Sequence, residues 1–471
     1  MSSPVITRFA PSPTGQLHLG NVRTALFAWL WARRMQGQFI LRVEDTDLER
    51  SSEANIAALQ QDLAWLGLTV DLGPGADSPK GPFRQTERSA IYRDAMATLS
   101  AQGRVYPCFC SEVDLEMERR QARAAKRPPV YSGKCAHLSA EQRASRQAAN
   151  EPYTLRFKLN ERETIRYTDA VRGEQSFLSN DLGDFVIARS DGSVGFLFSN
   201  AVDDAKMGVT HVLRGEDHVS NTPRQIAIMQ ALNASTPVYA HLPLLVGDNG
   251  APLSKRDGSA SVAYFREQGY LPIALTNLLF RLGHHSSESK LLTLAEMAPL
   301  FSLDALGRAP ARFDEQQLKH WQREAVQAAP LSTLLPWFET GRSASETERF
   351  ASLLKSNTLL PADAQEWVSR VQVGPQEYSE EASLGIRLAG SEFFAKLVTA
   401  LPQLSPAQSA SWLKQVRLDC GLNGPQFFKP VRLALTGRLD GPDLAALLQL
   451  MSPELIQASL ERARDLARPT Q

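Results

Sequence analysis

Among 471 residues the 51 basic and 51 acidic side chains cancel, so no overall charge draws in nucleic acid, and any such surface must be a local patch. An apolar share of 43 % suits a soluble globular protein of roughly three or four domains, and no run approaches the roughly 20 apolar residues of a membrane span. Met1-Ser2-Ser3-Pro4 leads straight into strand-like sequence without the basic start and apolar core of a signal peptide, which predicts a cytoplasmic address.

The first element is a short buried strand over Val5 to Phe9. Pro11 and Pro13 cannot continue a hydrogen-bonded ladder, so the chain leaves the sheet there. From Leu19 onward Val22, Leu26, Trp29 and Leu30 recur at helical spacing, ending in Arg33 and Arg34. This is strand, tight loop, helix. Gly15 and Gly20 leave room for a ligand, His18 stands at the helix mouth beside Asn21, and the backbone donors and dipole of that helix end favour an anion such as phosphate.

Phe39 to Val43 is a second apolar strand, running into Glu44-Asp45-Thr46-Asp47. Ser51-Ser52 can cap a helix carrying Ile56, Leu59, Leu63 and Leu66. Two strand–helix units in succession predict a parallel, doubly wound sheet of Rossmann type, whose ligands lie beyond the carboxyl ends of the strands. Glu44 is a candidate ligand there, whereas Asp45 and Asp47 read equally well as caps. From about Gly73 to Gln85 the chain is rich in Gly, Pro and Asp and the alternation breaks. Cys108, Cys110, Cys135 and His137 then form C-x-C-x24-C-x-H, three thiolates and one imidazole, enough for a tetrahedral zinc with no open position. In a cytosolic chain this spacing suits a metal better than a disulfide, and Cys420 is a remote, inert thiol. Between the half-sites lie Arg119, Arg120, Arg123, Lys126 and Arg127, either a phosphate grip or a solvated helix face.

Phe185-Val186-Ile187 and the apolar run Phe196-Leu197-Phe198 return the chain to the core, followed by Asn200 and Asp203-Asp204. Thr210 to Arg214 is another buried strand with Gly215-Glu216-Asp217-His218 at its end, and Thr222-Pro223 opens a helix as cap and first residue. Arg214, at a strand end, faces the ligand crevice. A further strand-like run spans His241 to Val246, and a basic loop, Leu253-Ser254-Lys255-Arg256, follows. Beyond about Arg312 the pattern is helical, with no β-barrel pattern; its last helix begins Ser452-Pro453 and turns Leu455, Ile456, Leu460 and Ala463 inward.

His18-Leu19-Gly20-Asn21 together with Leu253-Ser254-Lys255-Arg256 matches the signature pair of class I aminoacyl-tRNA synthetases. The fuller text, Arg8-Phe9-Ala10-Pro11-Ser12-Pro13-Thr14-Gly15 through Gly20-Asn21 and then Leu41-Arg42-Val43-Glu44-Asp45-Thr46-Asp47, resembles bacterial glutamyl-tRNA synthetase over most of the chain. The resemblance implies a Rossmann-type α/β catalytic domain in two halves, 1–78 and 185–245, an inserted acceptor-binding domain with the zinc site over 79–184, a stem-contact region with the basic loop over 246–315, and an all-α anticodon-binding region over 316–471. It implies ATP-dependent activation of L-glutamate and transfer to the 3′ end of tRNA(Glu), with tRNA(Gln) left open, by a monomer. His18 and Lys255 then approach the ATP phosphates with Mg²⁺ sharing the charge, and Gly15, Gly20, Asn21, Ser254 and Arg256 complete the nucleotide site. Arg8, Ser12, Glu44, Phe196, Asn200, Arg214 and Asp217 surround the glutamate or its adenylate, and the zinc is structural. The resemblance places Lys429 and Arg432 in anticodon-domain text. Phe196 departs from the tyrosine of many relatives, and Pro252 and Asp257 depart in the basic loop.

Overall fold

The computed structural model describes residues 4–47, 51–247, 250, 251, 253, 261–339, 341 and 343–468. The chain divides into two compact units, Met1–Glu267 with Pro272–Gln317, and Gln268–Leu271 with Leu318–Gln471.

The first unit is built on a sheet of six strands in the order β2-β1-β8-β9-β5-β6. These are β1 (Ile6–Phe9), β2 (Gln38–Leu41), β5 (Thr164–Asp169), β6 (Gly173–Leu178), β8 (His211–Gly215) and β9 (Val238–Leu242). All neighbours run parallel except β5 and β6. Helix α1 (Leu19–Arg34) follows β1 and buries Leu19, Val22, Leu26 and Leu30 against the sheet, the predicted face. Its last turn is basic, which suits the negative end of the helix dipole. Arg33 there pairs with Asp71 at 2.8 Å and lies over the Trp29 ring. Helix α2 (Glu53–Trp65) starts at Ser52, whose side chain accepts from the Asn55 N–H, as the sequence led us to expect.

Sheet membership divides the chain differently from the sequence ranges. A second sheet of three strands, β3 (Val105–Cys108), β4 (Thr154–Phe157) and β7 (Phe185–Ala188), is antiparallel. Thus β5 and β6, inside 79–184, belong to the large sheet, and β7, inside 185–245, belongs to the small one. Helices α3 (Ser89–Ala101), α4 (Glu112–Ala124), α5 (Ala140–Ala148) and the short α6 (Ser179–Leu182) complete this stretch. The predicted strand from His241 to Val246 is two strands: Pro243 cannot donate to a ladder, so β9 stops at Leu242 and β10 (Leu245–Val246) pairs instead with β11 (Ala311–Arg312).

Helices α7 (Phe196–Lys206) and α8 (Thr222–Ala231) pack on the same sheet. Thr222 is the first residue of α8 and not its cap; its buried hydroxyl lies 2.7 Å from the Arg214 guanidinium instead. His284 is enclosed by the rings of Phe27, Phe280 and Phe301 at 6.4, 4.7 and 5.0 Å between centroids. Its Nε2 accepts the Ser302 N–H, and burial pushes its pKa down from 6.5 to about 4. The unfolded chain therefore takes up a proton at higher pH than the folded one, and stability rises with pH across that window. We expect a loss of about 3 kcal/mol between neutral pH and pH 4 that His284→Phe largely removes, read by urea denaturation across pH.

In the second unit every described regular element is helical. Trp367, Phe394, Phe427 and Leu447 are among its core residues. The last helix, Pro453–Leu466, is capped by Ser452 and buries Ile456, Leu460 and Ala463 as expected. Lys429 is exposed, whereas Arg432 is half-buried and donates to the Pro442 carbonyl. Cys420 packs, half-buried, against the same core. No described helix in either unit is long and apolar enough to cross a membrane.

Candidate active site

Strand register explains how the site forms. Arg8 is the partner of Ile40, and two residues on, Arg42 and then Glu44 lie on the same face, because side chains alternate along a strand. The ladder continues past β2: the Arg42 N–H donates to Phe9 O and the Glu44 N–H to Pro11 O. Across the sheet, Thr7 pairs with His211, which puts Arg214 on the face of Arg8, and Arg214 pairs with His241. Three arginines and a carboxylate so converge at the carboxyl end of a parallel sheet, where such folds bind ligands.

A cavity of about 410 Å³ opens there. Arg8, Ser12, Glu44, Phe196, Asn200, Arg214 and Asp217 line it, and so do His18, Gly20 and Asn21 at the amino end of α1. His18 is the N-cap residue of α1. A Cβ on residue 20 would lie 3.3 Å from the His18 ring, so glycine keeps the imidazole at the helix mouth. A Cβ on residue 215 would lie 2.3 Å from the Asp217 carboxylate, which sits close against the backbone where β8 turns towards the cavity. Gly15 is not among the lining residues. Phe196 is 39 % exposed and lies tilted against His218 at 5.6 Å between ring centroids, while Phe198 alone of that run is fully buried. Asp45 is a tether: its carboxylate accepts from Thr86 and Arg84.

Ser254, Lys255 and Arg256, with Pro252 and Asp257, lie outside the described residues. On either side of that stretch, Leu253 N–H donates to Leu245 O, and Ser261 forms a bridge with His18.

The polar side chains are locked by a network. Arg42, with no exposed surface, spans Asp204 at 2.5 Å, Glu44 at 3.1 Å and Asp203 at 3.7 Å. Asp204 also holds Arg8 at 3.2 Å, and Asp203 holds Arg88 at 2.6 Å. Asn200 donates to Glu44 and accepts from Gln225. Burial raises the Glu44 pKa against the pull of Arg42 and Arg8. Burial works the same way on Asp204, but there Arg42 and Arg8 prevail and hold the carboxyl below its usual range.

Arg8, Arg42 and Arg88 are thus matched by Glu44, Asp203 and Asp204. Arg214 stands apart: its hydrogen-bond partners among the described residues, Thr222 and His241, are not carboxylates, and its cation faces the Tyr239 ring at 5.3 Å. Burial pushes its pKa down to about 10, and it remains a cation at neutral pH. Arg23, also in the cavity wall, donates among the described residues to the carbonyls of Leu282 and Pro243. Arg42, Gln225 and His241 are absent from the residues singled out by sequence. A signal existed for the first, since Arg42 and Glu44 are two apart on a strand; nothing in the text links His241 to Arg214.

The cysteine cluster lies in the stretch between the two parts of the large sheet. The thiols of Cys108, Cys110 and Cys135 are all within 4.8 Å of one another. His137 does not join them: Lys134–His137 is a 3₁₀ turn, in which residues two apart point about 120° away from each other, so Cys135 is buried and His137 exposed. The Tyr131 hydroxyl stands there instead, 3.4 Å from Cys108 Sγ and 3.8 Å from Cys110 Sγ. Arg119, Arg120, Arg123, Lys126 and Arg127 are exposed, and Arg119 and Arg120 pair with Glu116.

Comparison with known proteins identifies the family. Residues 4–320 match the family "tRNA synthetases class I (E and Q), catalytic domain", and residues 330–464 match "Anticodon binding domain". The chain is 48 % identical over 472 residues to glutamate–tRNA ligase 2 of Alkalilimnicola ehrlichii, covering 99 % of each. It is 47 % identical over 469 residues to glutamate–tRNA ligase 2 of Nitrosococcus oceani, covering 98 % of each. A crystal structure of a glutamate tRNA ligase from Elizabethkingia meningosepticum in complex with its amino acid superposes with a TM-score of 0.88 at 28 % identity, covering 99 % of this chain and 100 % of that one. The chain belongs to the class I tRNA synthetases of the E and Q group, as a glutamate–tRNA ligase.

Proposed function

We propose that the cavity holds L-glutamate with its distal carboxylate at Arg214 and Arg8 and its ammonium at Glu44, and that ATP lies along the amino end of α1. The observation that carries this reading is Arg214, a buried cation without a carboxylate partner among the described residues, facing the same cavity as the ionisable Glu44. A desolvated carboxylate needs such a charge-assisted partner, and a guanidinium matches its planar geometry. Asn200 orients Glu44, and Ser12 and Asp217 complete the polar wall. Phe196 supplies an apolar ring to the cavity wall.

The α-carboxylate of glutamate is already ionised at neutral pH, so activation needs no strong base. The barrier is negative charge gathering on the α-phosphate and the departing pyrophosphate, which fixed donors and cations stabilise electrostatically. His18, Gly20 and Asn21 at the helix mouth serve one side, with Gly15 in the loop before it. Ser254, Lys255 and Arg256 serve the other, a role supported by the flanking contacts of Leu253 and Ser261 beside Leu245 and His18. Mg²⁺ accompanies ATP as its counter-ion.

Three thiols and a phenol oxygen at close range form a donor set that fits a closed, structural zinc, with Cys108, Cys110, Cys135 and Tyr131 as its ligands. Such a zinc staples the turn at Lys134–His137 to the end of β3. Elemental analysis of the purified chain is expected to give one zinc, lost on Cys110→Ser and retained in His137→Ala. Zinc loss in the His137 variant would sink this ligand set.

The enzyme then acts as a cytoplasmic monomer on tRNA(Glu), with the exposed arginines of α4 and the helical second unit as RNA surfaces. Aminoacylation with labelled glutamate on purified tRNA(Glu) and tRNA(Gln) tests the reading. Charging of tRNA(Glu) is expected; charging of neither, with fold and metal intact, would overturn it. Charging of tRNA(Gln) as well would mean that a transamidation reaction must correct the product.

A further inference from the structure

Behind Arg214 lies a row of buried groups that the binding scheme above leaves without a task. Arg214 and His241 are register partners on β8 and β9, and Asp169 on β5 is the register partner of Tyr239, two residues before His241. Residues two apart on a strand share a face, so Asp169, His241 and Arg214 stand side by side. His241 is fully buried. Its Nδ1 is 2.5 Å from Asp169 Oδ2, and its Nε2 is 3.2 Å from Arg214 Nε.

These contacts fix the proton. An ionised carboxylate only accepts, so the ring carries its hydrogen on Nδ1. Burial and the charge of Arg214 both hold His241 below the usual imidazole range, which leaves Nε2 a lone pair facing the Arg214 Nε–H at 3.2 Å and the Thr222 hydroxyl at 3.0 Å. Asp169 is held in turn, since its Oδ1 accepts the N–H groups of Val171 and Arg172 at 2.9 and 2.8 Å and the His241 N–H lies 3.3 and 3.2 Å from its two oxygens. The Thr222 hydroxyl takes the Arg214 Nη2, and the Tyr239 ring covers the flat of the guanidinium. Among the described residues Nη1 has no hydrogen-bond partner.

We propose that Asp169 and His241 are positioning residues: by fixing the Nδ1–H tautomer of His241 they orient the Arg214 guanidinium, and so set the enzyme's affinity for an amino acid with a distal carboxylate. The proposal rests on Arg214 meeting that carboxylate.

The sharpest test is Asp169→Asn. The amide oxygen can keep the N–H bonds of Val171, Arg172 and His241, which all reach Oδ1, while its NH₂ faces Nδ1. The ring must then protonate at Nε2, which withdraws the acceptor from the Arg214 Nε–H and sets the new N–H in competition with Arg214 Nη2 for the Thr222 hydroxyl oxygen, the logic by which an Asp-to-Asn change misorients a catalytic histidine. Steady-state aminoacylation is expected to show the KM for glutamate raised at least tenfold, the KM for ATP within twofold of wild type, and the melting temperature little changed. His241→Leu should do the same, and His241→Gln, whose carbonyl can replace the Nε2 acceptor, should recover most of the loss. An unchanged glutamate KM in Asp169→Asn, or equal damage to both KM values with a lower melting temperature, overturns the proposal. Arg214→Leu is measured alongside. If it raises the glutamate KM while the Asp169 and His241 variants do not, the relay alone fails; if it leaves that KM unchanged, the assignment of Arg214 fails first and the relay with it.

Discussion

Replacing Arg214 by leucine is expected to cut kcat/KM for glutamate by about two to three orders of magnitude without unfolding the protein. Truncating one partner of a buried, hydrogen-bonded charge pair costs about 2–5 kcal/mol, and about 1.4 kcal/mol is a factor of ten. The free enzyme is affected in the opposite sense. Burial pushes Arg214 down to about 10, so the folded protein holds this cation at a cost, and a well-packed leucine relieves it. The combination of lost affinity with an unchanged or raised melting temperature separates a ligand-binding role from a structural one. A parallel fall in both quantities would count against the assignment. Selectivity for glutamate over glutamine should fall with affinity, because a carboxamide needs no counter-charge.

Arg42→Met is expected to have the reverse signature. Arg42 has no exposed surface and contacts three buried carboxylates, those of Asp204, Glu44 and Asp203. Methionine fills similar volume but leaves three anions facing only Arg8 and Arg88. Breaking a buried ion pair by removing one partner costs about 3–5 kcal/mol, and the loss here should lie at or above the upper end. Arg42→Lys should rescue little, because one ammonium cannot replace a planar fork that reaches several carboxylates at once. Adding Asp204→Asn to Arg42→Met should restore part of the stability, since it removes one of the stranded charges. Chemical denaturation of the three variants measures this. A loss below about 1 kcal/mol for Arg42→Met would show that the remaining arginines suffice and that Arg42 is not the centre of the network.

What the sequence reveals and what it hides follow from the range of the interactions. Helix α1 and its loop are legible because periodicity, prolines and basic terminal residues all act within a few positions. The caps Ser52 and Ser452 are legible for the same reason. The sheet is not: β5 joins it through Asp169 and Tyr239, and Asp169 and His241 are 72 residues apart. No local pattern distinguishes a strand that joins the large sheet from one that joins the small one. Glu44 and Arg214 are readable as polar residues at strand ends and Asn200 as a polar residue after an apolar run, yet their orientation depends on Arg42, Asp204, Gln225 and His241, which meet them only through tertiary pairing. The cysteine spacing points to a cluster of thiols, but that Tyr131 and not His137 stands beside them turns on the local 3₁₀ geometry of Lys134–His137. A two-residue spacing cannot reveal that.

The small sheet has a consequence for anyone wishing to shorten this chain. Lys158 N–H donates to Arg104 O at 2.8 Å, so the two ends of the stretch 105–157, metal-ligand candidates included, already meet across one hydrogen bond. On those grounds alone the stretch could be excised and a brief linker put in its place. But β7 pairs in that sheet with β4 alone, and β4 leaves with the excised piece. Deletion would strip the partner from Phe185-Val186-Ile187-Ala188, a mostly buried apolar strand, and expose its open edge to the same edge on another molecule. A trimmed enzyme would therefore aggregate unless that edge is first given a charge or a proline, and self-association, more than lost catalysis, would be the first sign of the deletion.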